Sequence, residues 1–203
     1  TTWSARPLGS VDPVPYYDFQ VNRPVIAFGD DGSRRIDWPT TRLTAATIPD
    51  SDRDVVLLWG IEPNMRWRSF CAELLDAATT IRVSKVITLG ALLADVPHTR
   101  PVPVTLTSGN RSDADHLGLE PSRYEGPTGI VGVFQSLAHA AELPSMSLWA
   151  AVPHYVAQTP CPKATLVLLQ RLEDILDTAI PLDDIADEAE AWQNGVDELA
   201  DDD

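Results

Sequence analysis

The sequence lacks the features that mark several classes of protein. Its 203 residues include only two cysteines, Cys71 and Cys161, and these form no CxxC pair and no disulfide framework. A reducing cytoplasm is therefore the simplest expected location. No apolar run approaches the roughly 20 residues that a membrane-spanning helix needs, and the first residues, TTWSARPLGS, lack the pattern of a signal peptide. We expect a cytoplasmic protein with no membrane partner.

Basic residues are absent from the C-terminal segment 183–203, which holds ten of the 30 acidic residues of the chain. The other 20 acidic residues face 15 basic ones in residues 1–182, so most of the net charge of −15 belongs to this segment. A negative field repels phosphate backbones, and we expect no nucleic-acid partner. A solvated helix face explains the acidic segment more simply than an acidic docking patch.

Short apolar segments predict buried strands at residues 54–60, 85–90, 102–109 and 146–152. The first of these, DVVLLWG, is apolar on both faces, which is typical of a central strand in a parallel sheet. Residues 25–38 predict a β-hairpin around Asp30-Asp31-Gly32. The prolines of the first two dozen residues predict irregular structure there, and the polar stretch 110–129 predicts a functional loop.

Apolar residues at helical spacing predict four helices, the first beginning after GIEPN and the others covering residues 130–143, 163–177 and 182–199. The order of elements predicts an α/β fold with a mostly parallel sheet and a helical appendage. We expect an α/β core over residues 1–178 and an acidic helical appendage over residues 179–203.

Polar side chains cluster at four predicted strand ends or helix starts. Ligands of open α/β sheets collect at such positions, so the clusters together predict one ligand-binding cleft. The candidate ligand-binding residues, in chain order, are Glu62, Asn64, Arg66, His98, Thr99, Arg100, Tyr124, Glu125, Thr128, His154 and Tyr155.

Two of these clusters have structural alternatives. Pro97 and Pro101 stiffen the loop that carries His98 and Arg100, which lowers the entropy lost when a ligand binds. Alternatively, Arg100 forms an ion pair with a carboxylate at a strand end. Glu62 could serve only to start the helix that follows it.

No motif identifies a cofactor or a catalytic group. Gly126, Gly129 and Gly132 lead into a predicted helix and weakly resemble a phosphate cradle, but close packing of the helix on the sheet explains the last two equally well. The histidines lack the spacing of metal ligands, and G-x-S-x-G is absent. Cys71 falls on an apolar helix face. We therefore expect no metal and no cofactor.

Several segments together resemble the PAC2 (proteasome assembly chaperone 2-like) family, most closely its actinobacterial branch. The resemblance extends from about Tyr16 to the acidic C-terminal helix and is carried by YYDFQVNRP, DVVLLWGIEPNMRWRSFCAEL, LGALLADVPHTRPVPVT, SRYEGPTGIVGV and SLWAAVPHYVAQTPCPKATLVLL. It implies a three-layer α/β/α core with a topology like that of purine nucleoside phosphorylases and related hydrolases. It also implies trimers and a C-terminal helical lid over the strand-end cleft. The sequence has no counterpart of the E-G-W-x-D-A-G-like turn with which family members usually open.

Eukaryotic relatives in this family act as chaperones in proteasome assembly, so the resemblance favours an oligomeric protein that binds a ligand or a protein partner. We expect a homo-oligomer, with a trimer favoured and with Trp38 of the hairpin at residues 25–38 in the contact.

The alternative is an enzyme acting on a small polar or anionic metabolite, such as a phosphorylase-like transferase or a hydrolase. In that case Arg66 and Arg100 would hold the anion, while His98 or His154 would move a proton. Glu62 or Glu125 would orient that histidine.

Overall fold

In the part of the chain that the structure describes, antiparallel strand pairs outnumber parallel ones, contrary to the prediction from the sequence. The computed structural model describes residues 3–108, 111–156 and 160–201. Asn110 of the predicted functional loop and the acidic residues Asp202 and Asp203 therefore lie outside the described residues. The chain forms two compact units, with the boundary between Arg82 and Val83.

The described part of the first unit, residues 3–82, contains five strands and one helix. These are β1 (Ala5–Ser10), β2 (Val25–Phe28), β3 (Arg34–Asp37), β4 (Arg42–Thr47), β5 (Asp54–Trp59) and α1 (Trp67–Thr80). β4 lies between β1 and β5 and is antiparallel to both, while β2 and β3 form the predicted hairpin. The stripe predicted for α1 buries Phe70, Cys71 and Leu74.

The second unit is built around one buried strand. Its elements are β6 (Val86–Ala94), β7 (Val104–Ser108), α2 (Arg111–Leu117), β8 (Glu120–Pro121), α3 (Ile130–Ala140), β9 (Ser145–Pro153), a short 3-10 helix (His154–Val156), α4 (Pro162–Leu176) and α5 (Asp183–Asp201). The sheet order is β6-β9-β7-β8. β9 pairs in parallel with β6 and antiparallel with β7, and its side chains join those of α4 in the core.

The prediction of an α/β fold is confirmed, but the mostly parallel sheet is wrong. β5 was predicted to be a central parallel strand, yet it lies at the edge of an antiparallel sheet, with Leu57, Leu58 and Trp59 exposed by 49%, 43% and 72%. Only residues 48–53 connect β4 to β5, whereas a parallel crossover needs a dozen or more residues. Apolar side chains on both faces therefore did not determine the direction of the neighbouring strand.

Two further segments differ from prediction. The region read as irregular contains β1, which tolerates Pro7 because it is an edge strand whose register shifts between Pro7 and Gly9. The polar stretch read as a loop contains α2 and β8. The division into a core over residues 1–178 and an appendage, the three-layer arrangement and the phosphorylase-like topology stay predictions.

None of the helices in the described ranges is long and apolar enough to cross a membrane.

Replacing Gly90 should destabilise the parallel pair of β6 and β9. Gly90 lies opposite Trp149 in the register, and a Cβ at Gly90 would stand 2.6 Å from the indole ring. The ring is held because its Nε1 donates to Ser147 Oγ at 2.8 Å. Gly90→Ala should therefore lower the free energy of unfolding by about 1–3 kcal/mol, as measured by urea denaturation.

Gly195→Ala is the matched control, because a Cβ on this helical glycine meets nothing within 4 Å. Alanine should be neutral there or stabilise by up to about 1 kcal/mol. Equal midpoints for Gly90→Ala and the unmodified protein would show that Trp149 does not constrain residue 90.

Candidate functional site

His98 and Tyr155 come together because β6 and β9 run in parallel. The register continues to Ala94 opposite Pro153, so both strands end at the same edge of the sheet. The loop containing His98 follows β6, and the short 3-10 helix with His154 and Tyr155 follows β9. The sequence prediction that strand ends would bring polar residues together is met for this pair.

Both ring nitrogens of His98 have partners, although its side chain is almost fully buried. Tyr155 Oη lies 2.7 Å from His98 Nδ1 and accepts the backbone N–H of His98 at 2.7 Å. On the other side of the ring, His98 Nε2 lies 2.8 Å from Asp197 Oδ1 of α5. If Nε2–H donates to Asp197 and Nδ1 accepts the Tyr155 hydroxyl, every group in this chain of hydrogen bonds is satisfied.

Lys163 connects the same loop to both C-terminal helices. It lies in the first turn of α4, and its Nζ donates to the carbonyl oxygen of His98 at 2.7 Å. The same ammonium donates to Gln193 Oε1 of α5 at 2.6 Å. The loop, α4 and α5 therefore meet in one polar network.

Sequence reasoning missed three members of this network: Lys163, Gln193 and Asp197. The available signal was the position of Gln193 and Asp197, which are four residues apart and directly follow the apolar positions Trp192 and Val196. Asp197 was instead counted among the acidic residues of a solvated face.

A narrow crevice adjoins the network, between the His98 loop and α5. Its lining includes Pro97, Val102, Pro103, Lys163 and Trp192. It offers about 10 Å³, which is at the lower limit for admitting a single water molecule. Within the part of the chain that the structure describes, the buried Trp192 Nε1 has no hydrogen-bond partner. This arrangement can hold a carboxylate at His98, but the crevice is too small for a metabolite.

The other predicted residues of the second unit are exposed. Arg100 donates its backbone N–H to Pro97 O at 3.3 Å, which forms a turn, and no ion pair of its guanidinium is found among the described residues. Thr99 is exposed beside it. The alternative of a structural ion pair for Arg100 therefore has no support.

The loop before α3 holds three more predicted residues. Tyr124, Glu125 and Thr128 are exposed, and the Tyr124 hydroxyl donates to Pro127 O at 2.8 Å within the same loop. A Cβ at Gly132 would overlap Thr128 Oγ1, which favours close packing over a phosphate cradle as the reason for that glycine. The approach of this loop to His98 stays a prediction.

In the first unit, Asn64 supports the fold. Its Oδ1 accepts the backbone N–H of Asp18 and the side-chain amide of Asn22, both at 2.8 Å, and its own N–H donates to Tyr16 O at 2.9 Å. The α1 helix begins at Trp67 with Arg66 as its N-cap in the left-handed region, at φ 55°. Glu62 thus lies outside α1, and starting that helix does not explain it.

Tyr16 packs edge-on against Phe70 and donates its hydroxyl to Glu73 Oε2 at 2.7 Å. This hydrogen bond to Glu73, together with burial, raises the pKa of Tyr16 to about 12. The phenol is therefore a structural donor and stays protonated at neutral pH. Glu62, Asn64 and Arg66 belong to the first unit, so a cleft that they share with His98 stays a prediction.

The structure shows the surroundings of the Cys71 thiol and of the side chains that could bind a metal ion. Burial raises the pKa of the Cys71 thiol to about 11, which keeps it in the unreactive protonated form. No three His, Cys, Asp or Glu side chains among the described residues are grouped as a metal ion would require.

Comparison with known proteins identifies the class of this chain. The sequence model of the PAC2 family matches residues 1–200, and the chain therefore belongs to the PAC2 family. A search among curated proteins returned no match.

Solved structures of actinobacterial proteins are similar over nearly the whole chain. A PAC2 family protein from Streptomyces avermitilis is 53% identical with a TM-score of 0.93, over 98% of this chain and 85% of that one. A Mycobacterium tuberculosis proteasome-assembly chaperone homologue is 52% identical with a TM-score of 0.89, over 97% of this chain and 83% of that one.

An archaeal homolog of proteasome-assembly chaperone from Pyrococcus furiosus shares the fold. It is 17% identical with a TM-score of 0.65, over 90% of this chain and 76% of that one.

Replacing His98 should destabilise the second unit, whereas replacing its neighbour His154 should not. His98→Ala removes hydrogen bonds to Tyr155 and Asp197, so the free energy of unfolding should fall by about 1–3 kcal/mol. His154 is exposed and contacts only the ring of Tyr155 among its described aromatic neighbours, so His154→Ala should change it by less than about 0.5 kcal/mol. Urea denaturation of both variants measures the difference, and equal losses would contradict a central role for His98.

Proposed function

We propose that this PAC2 family protein is an oligomeric partner-binding protein of the assembly-chaperone kind, which engages a protein partner at the strand-end site around His98. The observation that carries the proposal is its 52% identity, over 97% of the chain, to the Mycobacterium tuberculosis proteasome-assembly chaperone homologue. The partner in this proposal is a proteasome subunit. The helix α5 acts as a lid, because its Asp197 lies on His98.

The geometry at His98 favours binding over catalysis. A general acid or base needs a ring nitrogen that can reach a substrate, and while α5 is docked both nitrogens of His98 have protein partners. The adjoining crevice of about 10 Å³ is far below the roughly 300–1,000 Å³ of small-molecule sites. The enzyme alternative, with Arg100 holding an anion and His98 moving a proton, has no observation in its favour.

The hairpin of β2 and β3 supports the proposed homo-oligomer, with a trimer favoured. Ile26 lies opposite Ile36 in the register, and Phe28 and Trp38 fall on the same face by alternation. Phe28 is 71% exposed and Trp38, in edge-on contact with Phe19, is 45% exposed. A two-stranded ribbon is marginal in water unless its apolar face is covered. In this proposal, a second copy of the chain covers the face.

A charge on this hairpin face should dissociate the oligomer. Phe28→Asp should shift the mass in multi-angle light scattering from a multiple of 22.2 kDa to the monomer, because a carboxylate cannot be buried without a partner. The matched control is Val14→Asp, since Val14 is as exposed as Phe28, at 69%, but lies outside the hairpin. An unmodified protein that runs as a monomer, or equal effects of both variants, would overturn the hairpin contact.

The chaperone function itself is tested with separately purified proteasome subunits from an actinobacterium. The protein should form a complex with one type of subunit, detectable by native mass spectrometry, and should speed the appearance of assembled particles. His98→Ala should weaken that complex, while His154→Ala should leave it intact. Assembly at the same rate with and without the protein, and no complex with any subunit, would refute the proposal.

A further inference from the structure

The face of α5 that packs on the rest of its unit carries a compact apolar pattern. Ala189 and Val196 are buried, at 6% and 8% exposure, and Trp192 lies between them and lines the crevice beside His98. Their spacing of i, i+3 and i+7 places all three on one side of the helix. This is the pattern by which an amphipathic helix docks into a groove.

Two polar residues of α5 complete the pattern. Gln193 Oε1 accepts from Lys163 Nζ, and Asp197 Oδ1 lies 2.8 Å from His98 Nε2. Residues four apart on a helix are neighbours, so these two acceptors stand one turn apart. The groups that face these acceptors, Lys163 Nζ and His98 Nε2, lie in the part of the second unit outside α5, which is here called the body. The body thus presents a surface that is complementary to a helix with acceptors at this spacing.

Charge repulsion and solvent exposure both oppose the docked position of α5. Eight acidic residues and no basic ones lie between Asp183 and Asp201, so the helix repels itself and is marginal when isolated. The side chain of Asp197 is 43% exposed, and solvent therefore screens its pair with His98. Residues 177–182 connect α4 to α5, and the backbone of Asp177 in this connection adopts the left-handed helical conformation, at φ 50°. Release of α5 should therefore precede unfolding of the sheet.

We propose that the surface formed by His98, Val102, Pro103 and Lys163, here called the α5-docking surface, is a receptor for an acidic amphipathic helix of a partner protein. The helix α5 is its internal occupant, and a partner helix with the same arrangement of apolar residues and acceptors displaces it. This inference rests on the proposed partner-binding function. Because the surface is filled by α5 most of the time, the apparent affinity for a partner helix is reduced by the fraction of chains in which α5 is released.

The test uses the full chain and a fluorescent synthetic peptide with the sequence of residues 183–199. Val196→Asp in the full chain places a carboxylate in the buried contact and should release α5 while leaving the docking surface unchanged. The peptide should bind this variant at least about tenfold more tightly than the unmodified chain, as measured by fluorescence anisotropy. Hydrogen exchange should show faster exchange in α5 with β9 still protected. Asp197→Asn in the full chain should change both readouts in the same direction by a smaller amount.

Matched peptides separate specific docking from general charge. A peptide with Asp197→Asn should bind about three- to fivefold more weakly, because it lacks the carboxylate that meets His98. A peptide with Glu188→Gln has the same change in charge at an exposed position and should bind like the unmodified peptide. Adding His98→Ala to the Val196→Asp chain should abolish the difference between the two modified peptides.

Three results would overturn the inference: unfolding of β9 together with α5 in the Val196→Asp chain, no peptide binding to a chain whose α5 exchanges freely, or equal weakening by the Asp197 and Glu188 changes. The assay contains no proteasome subunit, so its failure is distinguishable from failure of the proposed function. Subunit binding without peptide binding would reject only this inference. Peptide binding without subunit binding would count against the proposed function and leave the α5-docking surface supported.

Discussion

The parallel pairing of β6 with β9 is the constraint on which the second unit depends. The pair stays in register for nine residues, and β9 is buried along most of its length. Because parallel strands end at the same edge, the His98 loop and the turn carrying Tyr155 are delivered side by side. The α4 helix packs on β9 and supplies Lys163 to the same place. The candidate site thus follows from the direction and register of two strands.

Electrostatics and burial act in opposite directions on α5. Its eight acidic residues repel one another, and no basic residue of the helix offsets that repulsion. Burial of Ala189 and Val196, together with the hydrogen bonds of Gln193 and Asp197, nevertheless holds the helix on the second unit. A helix whose own charges oppose its docked position is suited to reversible release. The same acidic residues keep its outer face solvated, so the segment has both a docking face and a soluble face.

Much of the local structure could be predicted from patterns in the sequence, and the errors have a common cause. Periodicity located α1, α4 and α5 to within a few residues, and the turn at Gly32 located the hairpin. Apolar periodicity predicted neither the strand β4 nor the direction of β5, because the pairing of a strand depends on its neighbours and on the length of its connections. His98 and Tyr155 were predicted as site residues from their positions after strands. Lys163 was not, because nothing in the helix that carries it indicates that its ammonium turns toward the loop.

The sequence by itself determined the local elements of the second unit. These are apolar segments long enough for strands, apolar stripes that define one face of each helix, a loop stiffened by Pro97 and Pro101, and a C-terminal segment without basic residues. These properties depend on residues near one another in the chain. Only the tertiary structure decided that β5 is an antiparallel edge strand, that His98 is buried, and that one of the terminal carboxylates, Asp197, meets it. His98 and Asp197 are 99 residues apart, and no local propensity encodes a contact at that separation. It arises because α4 packs on the sheet and α5 packs on α4, which selects one partner among many acidic side chains with the same chemistry.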